Sequence, residues 1–158
     1  MEIVVFDGNL SAKDVKNNKM RIACRGIVEN DGLLLTVYEE KWDITTFPGG
    51  GLEPFETICA CVIREVKEET GVIVTRPVET VRIIEHFEEE SFMTIYFKCG
   101  FLEETGEVAF TELEKEVNLQ TKWLSFDELL DILSTNMTKH EYGPNIHNRE
   151  FLGLINSI

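Results

Sequence analysis

Three glutamates, Glu65, Glu68 and Glu69, stand at i, i+3 and i+4 in the run Arg64-Glu65-Val66-Lys67-Glu68-Glu69-Thr70. At roughly 100° per residue, a helix places all three on one face. Like charges so arranged destabilise an isolated helix by about 0.2 to 0.5 kcal/mol per pair, and near a helix C-terminus the macrodipole opposes them as well. A divalent cation would relieve both penalties, because hard Mg²⁺ takes oxygen ligands, keeps several waters and joins carboxylates to substrate phosphates. A solvated acidic face is the plainer reading of any single charge run, so the neighbouring residues must decide.

Pro48-Gly49-Gly50-Gly51 lies just upstream. This stretch cannot be helical, and its bare backbone can approach a metal ion or a phosphate closely. The order is Gly50, five residues, Glu56, seven residues, then Arg64-Glu65-Val66-Lys67-Glu68-Glu69-Thr70-Gly71-Val72. That order resembles the Nudix box with every specified position filled, a pattern far longer than a chance motif. The chain is therefore similar to the Nudix (MutT-like) hydrolases, most tightly over residues 50–72.

The resemblance implies an α+β fold, an α/β/α sandwich with a mixed sheet, and an enzyme cutting phosphoric anhydride bonds with Mg²⁺, or Mn²⁺ in its place. It makes Glu65 and Glu69 the principal metal ligands, Glu68 a further ligand or water-orienting group, and the Gly49 carbonyl the completion of the shell. Gly50, Gly51 and Phe47 are expected to meet the substrate. Arg64, on a different side of the helix, is read as orienting a box carboxylate, Glu56 first, through a bidentate pair. The general base lies either in the box, with Glu65 one candidate, or on a later segment, where Glu116 is the choice and Glu112 and Glu114 stand close behind.

The substrate is expected to be a nucleoside diphosphate linked to another moiety, a nucleoside triphosphate first. Dinucleoside polyphosphates, nucleotide sugars, RNA 5′ ends and a silent nucleotide-binding regulator are the alternatives. The ADP-ribose branch carries a proline beyond the box, and Phe87 to Glu90 has none. Tyr38, Phe47, Phe87 and Phe92 are candidates to stack a base, although aromatic side chains in strands are more often core. His86, His140 and His147 have no metal-ligand spacing, and no catalytic duty is assigned to them.

Elements able to position these residues follow from pattern. Met20 to Glu29 and Leu33 to Glu39 read as a hairpin around Asn30-Asp31-Gly32, and Pro48 to Gly51 as a loop. A helix runs from Glu56-Thr57 to Glu69 or Thr70 and ends at Gly71, with Cys59, Val62, Ile63 and Val66 as its apolar stripe. Ile73 to Thr75, Val78 to His86 and Phe92 to Phe101 read as strands. Lys122 to Leu124 is a short strand, and Ser125 with Glu128 a capping box for a helix from Phe126 to Leu133. A last helix is expected from Asn148 to Ile158, and Asn9 to Lys19 reads as a polar mobile loop.

The composition agrees with one globular domain spanning 1–158: 43% of residues are hydrophobic and 28% charged. With 29 acids against 15 bases and a net charge of −14, no basic patch can track a phosphate backbone, so long nucleic acid is not an expected partner. No apolar run approaches the ~20 residues of a membrane span, and the N-terminus lacks a basic leader. A cytoplasmic protein is expected, with no membrane partner and with dimerisation through the N-terminal segment or the tail open. Cys24, Cys59, Cys61 and Cys99 show no zinc or disulfide spacing,.

Overall fold

The structure is a computed structural model that describes residues 1–158. Strand β1 (Glu2–Phe6) is followed by one turn of helix, α1 (Ala12–Val15), then β2 (Lys19–Asn30), β3 (Leu33–Glu39), β4 (Ile44–Thr46) and β5 (Gly49–Gly51). The box helix α2 (Ile58–Thr70) comes next, then β6 (Val72–His86), β7 (Glu90–Glu104), α3 (Glu112–Glu116), β8 (Leu119–Leu124), α4 (Phe126–Thr135) and α5 (Gly143–Ile155). The strands form a mixed sheet in the order β1-β6-β7-β2-β3-β4, with β5 on β2 and β8 on β3. β1 runs parallel to β6 and β2 parallel to β7, and the remaining pairs are antiparallel.

The expected hairpin is there. Asp31 and Gly32 both take positive φ, 51° and 77°, as a two-residue turn matched to strand twist requires. The break expected between Thr75 and Val78 is a bulge in a single strand: Arg76 adopts φ 49° and Pro77, lacking an N–H, cannot join the ladder. Residues 9–19 are not a plain loop but hold α1, where the Ser11 N–H donates to Asp14 at 2.8 Å. The N-terminal residues form the edge strand β1, parallel to β6.

Two helical layers cover the sheet. On one face α2 buries Cys61, Val62 and Val66 against Cys24, Val28, Val72, Val74, Ile95, Phe97 and Cys99. The apolar stripe is thus rotated from the one read in the sequence, since Cys59 is exposed and Cys61 fully buried. Gly26 makes the close approach possible, because a Cβ there would stand 2.7 Å from a Val66 methyl. On the opposite face α4 and α5 close a core of Ile27, Leu34, Phe47, Val81, Ile83, Tyr96, Leu129, Leu133 and Leu154.

Helix α5 begins five residues before the expected Asn148, with Pro144 in its first turn and no side-chain cap. Gly153 of this helix lies against Tyr96, where an added Cβ would stand 2.5 Å from the ring. Gly153→Ala should therefore destabilise the protein by about 1–3 kcal/mol through overpacking. Chemical denaturation would measure it, and an unchanged midpoint would show that Tyr96 gives way freely.

Candidate active site

Helix α2 has a sharp start and stop. The Thr57 hydroxyl accepts from the Ala60 N–H at 3.1 Å, and Gly71 ends the helix at φ 72° with its N–H donating to the Lys67 carbonyl. These caps fix the rotation that turns Glu65 and Glu69 toward the glycine segment. That segment is not a loop but the short strand β5, paired with Ala23, Cys24 and Arg25 of β2. Its glycines are demanded by contact: a Cβ at Gly49 would lie 2.0 Å from the Cys24 carbonyl oxygen, and one at Gly50 would lie 2.6 Å from the Glu65 carboxylate.

The Gly49 N–H donates to Glu69 Oε2 at 2.9 Å. Burial pushes the Glu69 carboxyl up to about 8, against the opposing pull of Arg25 and the Gly49 N–H. Burial likewise raises the Glu65 carboxyl, opposed by Arg64. Two desolvated acids on successive helical turns beside bare backbone have the hard-oxygen donor chemistry that suits a divalent cation. Glu68 is the most open of the three, its side chain 41% exposed. The three carboxylates share one helix edge, yet they are not gathered around one point: Glu65 and Glu68 turn to Arg64, and Glu69 to Gly49.

Arg64 reaches further than its place on the helix suggested. It holds Glu56 in a bidentate pair, Nε to Oε1 at 2.6 Å and a terminal nitrogen to Oε2 at 3.0 Å, which draws the Glu56 carboxyl down to about 2. The same guanidinium donates to Glu65 at 2.7 Å, to Glu68 at 3.1 Å and to the Gly51 carbonyl at 3.2 Å. It therefore touches the acidic edge directly as well as staking down the loop before the helix.

Beneath β5 the sequence concealed a second charged assembly. Arg25 donates to the Phe47 carbonyl and lies 3.4 Å from Glu150, whose side chain is wholly buried. Glu150 also accepts from the Phe47 N–H at 2.8 Å, the Tyr96 hydroxyl at 2.8 Å and Arg149 at 2.9 Å. Burial pushes the Glu150 carboxyl up, but Arg25, Arg149 and these donors outweigh it, and the net shift is downward. Glu85, farther from Arg149 at 3.7 Å, is raised by burial.

Arg149 and Glu85 are also part of the wall of a cavity of about 590 Å³, with Phe87, Phe92, Tyr142 and Asn145 around it. Phe87 packs edge-on to Phe92 and to Tyr142, with centroids 5.9 and 6.3 Å apart. Four further acids, Asp7, Glu88, Glu89 and Glu90, contribute to the lining. The positive charge of Arg25 pulls against the burial-driven rise of both Glu69 and Glu85.

Other expected residues fall elsewhere. Phe47 is not a stacking surface: its ring is buried in the core, edge-on to Tyr96, and its backbone N–H and carbonyl are taken by Glu150 and Arg25. Tyr38 donates to Asp43 and carries the Lys122 ammonium over its ring at 3.8 Å. Phe87 and Phe92 do line the cavity, joined by Tyr142, which drew no notice in the sequence. Glu116 lies on α3, not on a loop, and is paired with Lys41 at 2.7 Å. Glu114 accepts from the Thr111 N–H at 3.0 Å, and it is the acid of that helix whose charge adds to the rise of Glu65 and Glu69. His86 bonds Ser91 and stacks on Phe6, and His140 meets Trp42 edge-on.

The sheet thus lies between two helical layers, and α2 presents acidic side chains to the glycine strand β5. The NUDIX domain model matches residues 19–145, and the chain belongs to that family, whose enzymes act on phosphoric anhydride bonds. Among solved structures, it is similar to a NUDIX hydrolase from Nitrosomonas europaea, with a TM-score of 0.65 and 20% identity over 88% of this chain and 92% of that one. A MutT NUDIX hydrolase from Burkholderia pseudomallei gives 0.63 at 17% identity over 89% and 100%. Among curated proteins, mRNA-decapping enzyme subunit 2 of Arabidopsis thaliana is 30% identical over 120 residues, 74% of this chain and 31% of that protein. The chain thus spans about a third of that relative's length. No helix is long and apolar enough to cross a membrane.

Proposed function

We propose that the chain is a divalent-metal-dependent pyrophosphohydrolase acting on a nucleoside diphosphate linked to a further group, a nucleoside triphosphate in the first reading. The observation that carries this is the seating of Glu65 on Gly50 and of Glu69 on the Gly49 N–H; the chain also holds an aromatic-lined cavity of about 590 Å³ that could take a base and sugar. Glu65, Glu69 and the Gly49 carbonyl are the proposed ligands of Mg²⁺ or Mn²⁺, with Glu68 joining them or orienting water. When bound, such an ion supplies a Lewis acid for phosphoryl oxygens and lowers the pKa of an attacking water.

The protein's own groups do the rest. Arg64 holds Glu65 and Glu68 and, by clamping Glu56, keeps the loop ahead of the helix in place. Gly50 and Gly51 give the phosphates a surface without side chains. Glu65 is one candidate for the proton acceptor; on the later segment Glu116 is bound to Lys41, and Glu114 is the better candidate. Phe87, Phe92 and Tyr142 enclose the base.

A product-resolved screen of nucleotides with Mg²⁺ tests the reading. Release of a nucleoside monophosphate together with pyrophosphate or a phosphorylated leaving group is expected, and inertness toward the whole panel would reject it. Phe92→Ala should raise KM by about ten- to a hundredfold, the scale of one lost base stack, with a smaller change in kcat. A second reading, cleavage of an RNA 5′ cap, is favoured by the likeness to the decapping subunit and by the acid-rich aromatic cavity, which suits a base carrying positive charge. Including methylated cap dinucleotides in the same screen separates the two.

A further inference from the structure

β4 is the last strand of the sheet and pairs only with β3. An edge strand leaves every second N–H without a partner, and here the edge is buried: Ile44, Thr45, Thr46 and Phe47 are all below 9% exposure. Water cannot serve those groups, and a buried N–H left unpaired costs about 1–3 kcal/mol. Helix α5 supplies side chains instead. The Thr45 N–H donates to His147 Nε2 at 3.0 Å and the Phe47 N–H to Glu150 Oε2 at 2.8 Å. The i, i+2 spacing of the strand meets the i, i+3 spacing of the helix, so α5 stands where a further strand would otherwise pair.

Burial pushes the His147 imidazole below its ordinary value, against the pull of Glu150 and Asp43. The Thr45 N–H donating to Nε2 makes that nitrogen the acceptor of the ring. Two residues beyond Phe47 is Gly49, whose N–H holds Glu69. Within the same two turns of α5, Asn145, Ile146 and Arg149 line the aromatic cavity.

We propose that His147 and Glu150 are positioning residues: they hold the segment 45–49 in the register at which Gly49 meets Glu69, and they tie that register to the helix that walls the cavity. The inference rests on the reading of Glu69 as part of the phosphate-handling site, but its first test does not. Neither side chain needs to touch substrate. The effect passes through two backbone hydrogen bonds into the glycine strand, much as groups around a ligand shell tune the ligands they orient.

Two substitutions separate positioning from bulk stability. His147→Phe keeps a planar ring, larger than the imidazole, and removes the acceptor, whereas His147→Gln places an amide oxygen near the position of Nε2. In the metal-free protein, His147→Phe should speed amide hydrogen exchange at Thr45 and Gly49 by at least about tenfold while Ile95 and Tyr96 in β7 stay as slow as in the wild type; His147→Gln should restore most of the protection. In the active enzyme, His147→Phe should lower kcat, or raise the Mg²⁺ concentration for half-maximal rate, by about 10- to 100-fold, with KM for the nucleotide changed little. A uniform rise in exchange across β7, or equal behaviour of the Phe and Gln variants, would overturn the proposal. If the wild type hydrolyses nothing, the functional reading fails by itself, and the exchange measurement still decides this one.

Discussion

Glu69→Gln is expected to lower kcat/KM toward the preferred nucleotide by about a thousandfold, the scale on which removal of a centrally placed charge-stabilising group acts, while leaving the fold intact. The amide oxygen of glutamine can still accept the Gly49 N–H that Glu69 receives at 2.9 Å, so the local backbone has no reason to move. What is lost is an anionic oxygen donor in a site where burial already disfavours the charge. The measurement pairs steady-state rates with thermal melts across a Mg²⁺ titration. The wild type should gain melting temperature as the ion binds, and the variant should gain much less. Full activity in Glu69→Gln would remove the carboxylate edge from the mechanism, and so would metal stabilisation equal to that of the wild type.

The second large effect is on stability. Glu150→Ala strands Arg149, the Tyr96 hydroxyl and the Phe47 N–H in the interior. Breaking such a buried set by deleting one partner costs about 3–5 kcal/mol, on the order of 10 °C in melting temperature for a chain of this size. The pH dependence follows from the sign of the shift. The folded Glu150 carboxyl lies below its ordinary value of 4.5, so its contribution is fully present above about pH 4.5 and is lost as pH falls through the folded pKa. Melting curves from pH 7 to pH 3 should show a steeper acid loss in the wild type than in Glu150→Gln, which carries no proton-linked charge. Parallel curves would mean that Glu150 is not ionised in the folded protein.

Much of this was legible along the chain because it was encoded locally. The caps of α2 at Thr57 and Gly71, the Asp31-Gly32 turn and the Ser125 to Glu128 box are short-range signals with short-range causes,. The spacing of Glu65, Glu68 and Glu69 requires only helical geometry. The start of α5 was missed because Tyr142 provides no side-chain cap, and α3 because its capping box at Thr111 and Glu114 lies in a run that reads as charged surface. The strand β1 has its partner some eighty residues away in β6, and nothing near it in the chain announces that pairing.

The sequence alone determined the family, the reaction class and the helix edge that carries the acids, since each depends on residue type at fixed local spacing. Tertiary structure decided what those residues touch. It buried Phe47 against Tyr96 and sent Glu116 to Lys41. It also assembled Arg25, Tyr96, Arg149 and Glu150 from three distant elements into one charged core beneath the glycine strand. The physical reason is the same throughout: hydrogen bonds and ion pairs between distant elements follow from how helices seat on a sheet, and that seating depends on contacts such as Gly26 under Val66 and Gly153 under Tyr96, which no local pattern records.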